Sequence, residues 1–172
     1  MAGTADELAV RADVFGSLFV VMQHLTRRTD AALADLGLTS KQWLLLALLA
    51  QGFRGRRPSL TEAAAGYGTS RQNVKQIARG LEAHGWVRLV SDPSDARTTR
   101  LELTGQAAMF DTPEMQARGE DLMRDAFGGL DERDLGALQD IVHRWLAGLG
   151  ATPPGPDAEA ISGPAPRATR AG

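Results

Sequence analysis

The chain has 172 residues, of which 43% are hydrophobic and 23% are charged, and its formal net charge is -2. These values fit one globular domain with a core of useful size. The chain has no cysteine, which excludes disulfides, thiolate catalysis and cysteine-ligated zinc. No uninterrupted apolar run approaches the roughly 20 residues of a membrane span, and the first ten residues lack the pattern of a signal peptide, so we expect a cytoplasmic protein.

The charges are unevenly distributed along the chain. Residues 53–100 hold nine Lys or Arg against four Asp or Glu, a net of +5, so the remainder of the chain carries -7. A basic central segment between acidic flanks suggests a local site for a polyanion. A solvated surface with uneven charge is the alternative, and charge alone does not decide between the two.

The first predicted element is a long helix. Apolar residues recur at three- and four-residue steps from Leu8 to about Leu36, which indicates an amphipathic helix that Gly37 ends. Thr39 is the predicted cap of a second helix. The stretch from Trp43 to Leu49 in that helix is apolar nearly all round and should be central to the core.

Two short helices follow, and each begins with the pattern of a capping box. Ser59 and Glu62 occupy the two positions of the first box, and Thr69 and Gln72 those of the second. The segment Gly66-Tyr67-Gly68 supplies a tight turn between them. This arrangement predicts a helix-turn-helix, a corner that many helical domains contain.

The second of these short helices, residues 70–84, has two different faces. Val74, Ile77, Ala78 and Leu81 form a stripe to be buried. The opposite face has almost no carboxylate, and its cations and amides are the groups that pair with phosphates and with base edges. We predict that this face binds nucleic acid; an ordinary surface helix is the alternative. The predicted contacts to base edges are Gln72, Asn73, Lys75 and Gln76, and those to phosphates are Ser70, Arg71 and Arg79.

After Gly85 the period changes to that of strands. Residues 86–90 and 98–103 are predicted strands, joined by an Asp-Pro-Ser-Asp turn into a hairpin with a charged tip. A hairpin that follows a recognition helix is a wing, and Arg97 at its tip can enter the minor groove. Asp95 would pair with Arg97 there, and Arg100 is a further candidate DNA contact. The alternative is a surface hairpin in which Asp95 and Arg97 pair only with each other and contribute little.

The last third of the chain contains a heptad-like pattern. A helix is predicted to begin at the capping residue Asp131, and a break is expected earlier, at Pro113. The apolar positions of this pattern form a seam along the helix, and this seam favours a second copy of the chain as its partner, although packing within one chain is the alternative. Residues 150–172 are rich in Ala, Pro and Gly and are predicted to be disordered. The seam consists of Leu135, Leu138, Val142, Trp145 and Leu149.

Nothing in the sequence predicts an enzyme. His24, His84 and His143 are scattered, and none has metal-ligand spacing to another histidine or a carboxylate. No glycine-rich loop follows a strand, and no nucleophile motif is present. We therefore expect no catalytic residues, no metal and no cofactor.

Two segments carry a family resemblance: LTSKQWLLLALLA, at residues 38–50, and TSRQNVKQIARGLEAHGWVRLVSDPSDARTTRLELTG, at residues 69–105. With the flanking helices they resemble the MarR (multiple antibiotic resistance regulator) family over roughly residues 14–149. The wing of that family carries a D-x-R-D-x-R pattern, which Asp92, Asp95 and Arg97 match. Ser94 replaces the first arginine, and Arg100 is the candidate substitute for the lost contact.

The resemblance implies a mainly α fold with a small β-hairpin wing, acting as a homodimeric, ligand-responsive repressor at an inverted-repeat operator. It divides the chain into an N-terminal dimerisation helix (1–36), a winged helix-turn-helix that binds double-stranded DNA (37–104), C-terminal dimerisation helices (105–149) and the tail. A dimeric winged-helix module that binds a ligand or a protein but not DNA is the alternative function, against which the intact face of cations and amides argues.

The resemblance also implies a small aromatic or phenolic effector. An apolar pocket with one polar group would suit such a ligand. Ordinary core packing is the alternative role for the candidate residues. The residues that could line the pocket are Phe15, Phe19, Met22, His24 and Trp43.

Overall fold

The computed structural model describes residues 2–53 and 55–150, with side chains from Asp6 onward. The predicted C-terminal tail, apart from Gly150, lies outside the described residues. In chain order the helices are α1 (Ala2–Leu33), α2 (Ser40–Ala47), α3 (Leu60–Tyr67), α4 (Arg71–Ala83), α5 (Pro113–Phe127) and α6 (Glu132–Gly148). Strands β1 (Val87–Ser91) and β2 (Thr99–Leu103) lie between α4 and α5. The prediction of a mainly helical fold with one hairpin is confirmed.

Local signals set most of the helix boundaries. Gly37 has a φ of 64° and follows a short 3-10 turn at Ala34–Leu36, so the first helical segment ends where a left-handed residue is needed. Thr39 and Ser59 each accept a hydrogen bond from a backbone N–H three residues later, and in both helices a complete capping box is present. Pro113 stands in the first turn of α5, where its missing N–H costs nothing.

The hairpin is antiparallel, with Val87 opposite Leu103 and Ser91 opposite Thr99. Its second strand is also tied to the segment before α3. The backbone N–H of Leu101 donates to the carbonyl of Pro58 at 2.8 Å, and Ser59 forms an isolated bridge with Arg100. The wing is therefore hydrogen-bonded to the start of the helix-turn-helix as well as to itself.

The core lies between α2, α3, α4 and the hairpin. Leu45, Leu46, Val74 and Leu81 are fully buried there, and Trp86 packs on Phe110 with ring centroids 5.4 Å apart. Full burial of such a side chain is worth about 1.5–3 kcal/mol. This core holds α4 against α2, α3 and the hairpin.

The terminal helices are packed very differently. Neither α5 nor α6 contains a buried residue, and Leu33 is the only buried residue of α1 among the side chains that the structure describes. The segment Asp6–Leu36 is also long and apolar enough to cross a membrane, by length and composition only. Uninterrupted apolar runs in the sequence do not reveal this candidate span, because polar residues interrupt it. Its apolar side chains lie on a surface that the single chain leaves uncovered.

Candidate nucleic-acid interface

Helix α4 has one buried and one exposed face, as predicted. Val74, Ala78 and Leu81 are completely buried and fix the orientation of the helix. Glu82, the one carboxylate in the sequence of α4, accepts a hydrogen bond from the backbone N–H of Leu89 at 2.8 Å. The helix therefore uses its acidic group to hold strand β1, and the opposite face is left with cations and amides.

The cations of this face have no acidic partner. Among the described residues, Arg71, Lys75 and Arg79 make no ion pair, and they are exposed together with Gln72 and Gln76. Positive charge that is not neutralised within the chain remains available to phosphates. All seven predicted contacts of this segment are exposed, since Ser70 and Asn73 at its start are exposed as well.

The start of α4 differs from the prediction. The capping residue is Ser70, whose hydroxyl accepts from the backbone N–H of Asn73 at 3.2 Å, and not Thr69. The N–H of Thr69 donates to the carbonyl of Ala64 at 3.0 Å at the end of α3, so it is not free to donate to the Gln72 side chain as a capping box requires. The Asn73 amide donates to the Thr69 hydroxyl at 3.0 Å. Ser70 and Asn73 therefore shape the turn, whereas Gln72 takes no part in the capping.

Two carboxylates hold the wing tip closed. Asp92 is 7% exposed, and its Oδ1 accepts from the Ser94 N–H at 2.7 Å, the Ser94 hydroxyl at 2.6 Å and the Asp95 N–H at 3.2 Å. These donors, led by the Ser94 hydroxyl and joined by Arg100, hold the pKa of Asp92 far below its ordinary value. Asp95 accepts from the Arg97 N–H at 3.0 Å and from the Thr98 hydroxyl at 2.8 Å.

Arg97 is presented at the exposed tip. The predicted side-chain pair of Asp95 with Arg97 is not the contact found, because Asp95 binds the Arg97 backbone instead. In the part of the chain that the structure describes, the Arg97 guanidinium makes no ion pair. The turn therefore fixes the backbone of Arg97 and leaves its charge free.

Arg100 lies at the base of the wing and not at its exposed tip. Its Nε donates to Asp92, and its Nη1 donates to the carbonyl of Arg57 at 2.8 Å and lies 3.6 Å from a carboxylate oxygen of Glu62. These contacts favour an internal role over the DNA contact that the sequence suggested. Arg57 and Glu62 were missed as partners because they lie about 40 residues earlier in the chain.

The residues predicted to line a ligand pocket are not brought together within one chain. Phe15, Phe19, Met22 and His24 are exposed on α1. Trp43 lies instead beside a crevice of about 40 Å³ between α1, α2 and α5. Other residues that line this crevice are Thr29, Leu33, Phe110, Met115, Arg118 and Leu122.

The crevice has a charged pair at its edge. Arg118 on α5 makes two hydrogen bonds to Asp35, at 2.8 and 2.7 Å. Each partner favours the charged form of the other, so the pKa of Asp35 is lowered and that of Arg118 is raised. This pair joins α5 to the end of the first helical segment.

The predicted seam on α6 is uncovered in the single chain. Leu135 and Leu138 are each 38% exposed, Trp145 is 44% exposed and Leu149 is 71% exposed. Val142, between them, is also exposed. Packing of the seam within its own chain is therefore not what the described residues show.

A sequence model of the MarR family matches residues 36–98, from the end of the first helical segment to the wing. No curated protein matches the chain.

Several solved structures have the same fold. Sco3205 from Streptomyces coelicolor, described as a MarR family transcriptional regulator in complex with DNA, is 28% identical with a TM-score of 0.67, over 85% of this chain and 93% of that one. A mutant MarR from E. coli complexed with operator DNA is 18% identical with a TM-score of 0.66, over 78% and 94%. Bordetella bronchiseptica BpsR, whose DNA binding is described as regulated by 6-hydroxynicotinic acid, is 21% identical with a TM-score of 0.65, over 77% and 98%.

Proposed function

We propose that this chain is a DNA-binding winged-helix transcriptional regulator of the MarR family, whose sequence model matches residues 36–98, and that it acts as a ligand-responsive repressor that binds an inverted-repeat operator as a homodimer. The observation that carries the proposal is the exposed face of α4, on which cations and amides stand without acidic partners. Such a protein acts on the genome and works in the cytoplasm.

In the proposed complex, different residues contact base edges, phosphates and the minor groove. Gln72 and Gln76 favour adenine through paired amide contacts, and Lys75 favours guanine. Arg71 and Arg79 bind phosphates and set the register without reading sequence. Ser70 and Asn73 fix the start of the helix, and Arg97 enters the minor groove beside the major-groove site.

Homodimer formation is supported by the apolar surface of the terminal helices. Val14, Phe15, Leu18 and Phe19 on α1 are 37–60% exposed, and the seam on α6 is uncovered too. A large exposed apolar patch is unfavourable in a soluble monomer. Two copies related by a two-fold axis would bury the same patches against each other, and would present two copies of α4.

The proposed effector is a small aromatic or phenolic acid in the crevice beside Trp43. Aromatic and aliphatic side chains line the crevice, and Arg118 can bind a carboxylate. A volume of about 40 Å³ holds only about a water molecule or two, so an aromatic acid must open the crevice. A ligand carboxylate that binds Arg118 would displace Asp35 and loosen the link between α5 and the helix-turn-helix.

The proposed DNA binding is tested directly by a salt-titrated binding assay on the DNA upstream of the protein's own gene. We expect tight binding that weakens steeply with salt, because several cations replace counterions on the phosphates. Absence of binding at low salt, by a protein shown to be folded and dimeric, would favour the module that binds a ligand or a protein but not DNA.

The effector is tested separately, with 6-hydroxynicotinic acid and benzoate as probes and phenol as a neutral comparison. Binding is followed by isothermal titration calorimetry on the unchanged protein, because the chain has three tryptophans and their fluorescence would not report on Trp43 alone. We expect the acids to bind and to weaken DNA binding, and Arg118→Met to remove both effects. Equal binding of the acids to wild type and to Arg118→Met would place the effector elsewhere.

A further inference from the structure

Three parts of the fold meet at one guanidinium. Arg100 lies on strand β2 and binds Asp92 at the base of the wing turn. On its other side it binds the carbonyl of Arg57 and approaches Glu62 in the first turn of α3. We call Arg100, Asp92, Glu62 and Arg57 the wing-base cluster.

Asp92 makes this cluster more than a surface ion pair. Its carboxylate is almost completely buried, and three of its four donors belong to Ser94 and Asp95 in the turn itself. The fourth donor, Arg100, supplies the compensating positive charge. A buried carboxylate that loses its cation is strongly destabilised, so the turn must open or rearrange when Arg100 is removed.

Glu62 links the guanidinium of Arg100 to the helix-turn-helix. It completes the capping box of α3 by accepting from the Ser59 N–H at 2.7 Å, and Ser59 bridges to the backbone of Arg100. Helix α3 packs on α4 within the core. The cluster therefore fixes the wing tip relative to the recognition helix.

We propose that Arg100 is a positioning residue: it sets the height and angle of the wing, and so the place of Arg97, without touching DNA. The inference rests on the proposed contact of Arg97 with the DNA duplex, and its test separates the two.

The test is a double-mutant cycle on one operator duplex, with affinity measured at several salt concentrations. Arg97→Ala should lower affinity about tenfold and reduce the salt slope by about one. Arg100→Gln should cause a loss of the same kind in the wild-type background, and no further loss in the Arg97→Ala background, because it acts through Arg97. Arg100→Lys, which keeps the charge but not the geometry, serves if the Gln variant does not fold.

Asp92→Asn provides the sharpest discrimination. This change removes a negative charge near DNA, so simple electrostatics predicts tighter binding. The positioning role predicts weaker binding, by a factor close to that of Arg100→Gln, and the double variant should be no weaker than either single one. The matched control is Arg88→Gln, since Arg88 is also a wing arginine but pairs with Glu102 at 3.2 Å on the far end of the hairpin; its affinity should change less than twofold.

Each outcome has one meaning. Equal losses from Arg100→Gln in both backgrounds, or tighter binding by Asp92→Asn, would overturn the positioning role while leaving the wing contact intact. An Arg97→Ala variant with unchanged affinity and salt slope would instead remove Arg97 from the interface, and the positioning role with it. Faster amide hydrogen exchange at residues 94–98 in Arg100→Gln, with α4 unchanged, would support the proposal directly.

Discussion

Gln76 and Arg79 stand three residues apart on the exposed face of α4, and we propose different roles for them in DNA recognition. The amide can pair with both hydrogen-bonding groups of an adenine edge, whereas the guanidinium would neutralise a phosphate. Their neighbours Val74 and Leu81 are fully buried, so either side chain can be changed without disturbing the core. This pair therefore allows readout and general attraction to be measured separately.

We expect Gln76→Ala to cost about 1–3 kcal/mol at one base position and to relax selectivity there, with little change in salt slope. Arg79→Ala should weaken binding to all duplexes alike and reduce the slope by about one. Binding isotherms on specific and scrambled duplexes measure both effects. Each variant serves as the control for the other. Identical behaviour of the two would mean that the reading face is misassigned.

Asp92 gives a prediction for the dependence of stability on pH. Its pKa is lowered in the folded protein, so its contribution is complete above the unfolded-state pKa of about 3.9 and declines as the pH falls below that value. Asp92→Asn should therefore reduce stability near neutral pH and flatten the decline between about pH 4 and pH 2. Denaturant unfolding at several pH values tests this, and parallel curves for variant and wild type would contradict it.

Among the elements, those governed by local signals could be predicted and those governed by distant contacts could not. The capping residues Thr39, Ser59 and Asp131 are all found as predicted, because each bonds to a backbone N–H three residues away. The predicted capping residue of α4 was wrong by one position: the N–H of Thr69 donates to the carbonyl of Ala64 at the end of α3 and cannot complete a capping box with Gln72. The partners of Arg100 depend on strand register and on a segment some 40 residues away, which periodicity does not encode.

The ligand site shows the same limit. The residue types around Trp43 were recognisable as apolar, but the crossing of α1, α2 and α5 decides which of them share a crevice. Arg118 was missed, although an arginine among apolar residues of a helix is the signal that could have found it. The predicted contribution of Phe15, Phe19, Met22 and His24 stays a prediction, since these side chains are exposed in the part of the chain that the structure describes.

At the level of the secondary-structure elements, the testable prediction concerns helix α6. Val142→Asp with Trp145→Asp places two carboxylates in the proposed seam, where burial of unpaired charge is strongly unfavourable. Dimerisation and operator binding should fail together, because two half-sites must be bound at once. Gly136→Asp with Ala147→Asp adds the same charge to the opposite face, where both positions are exposed, and should leave dimerisation and operator binding intact. A seam variant that sediments as a dimer and still binds DNA would place the interface elsewhere.

For the whole molecule, the apolar terminal helices and the basic winged helix are explained by one assembly. A two-fold dimer would cover α1 and α6 and would present two α4 helices on one side. Membrane insertion of α1 is the competing use of its apolar surface, and it would leave the α4 faces without a fixed separation. The two arrangements therefore differ in the symmetry of the DNA that is bound.

The most direct measurement is selection of operators from a random pool of duplexes by the purified full-length protein, followed by sequencing of the bound DNA. We predict an imperfect inverted repeat whose half-site centres lie about 10 bp apart, so that both recognition helices enter the same face of the duplex. Each half-site should contain adenine and guanine positions that match Gln72, Lys75 and Gln76. Enrichment of a site without two-fold symmetry, or no enrichment at all, would contradict the account.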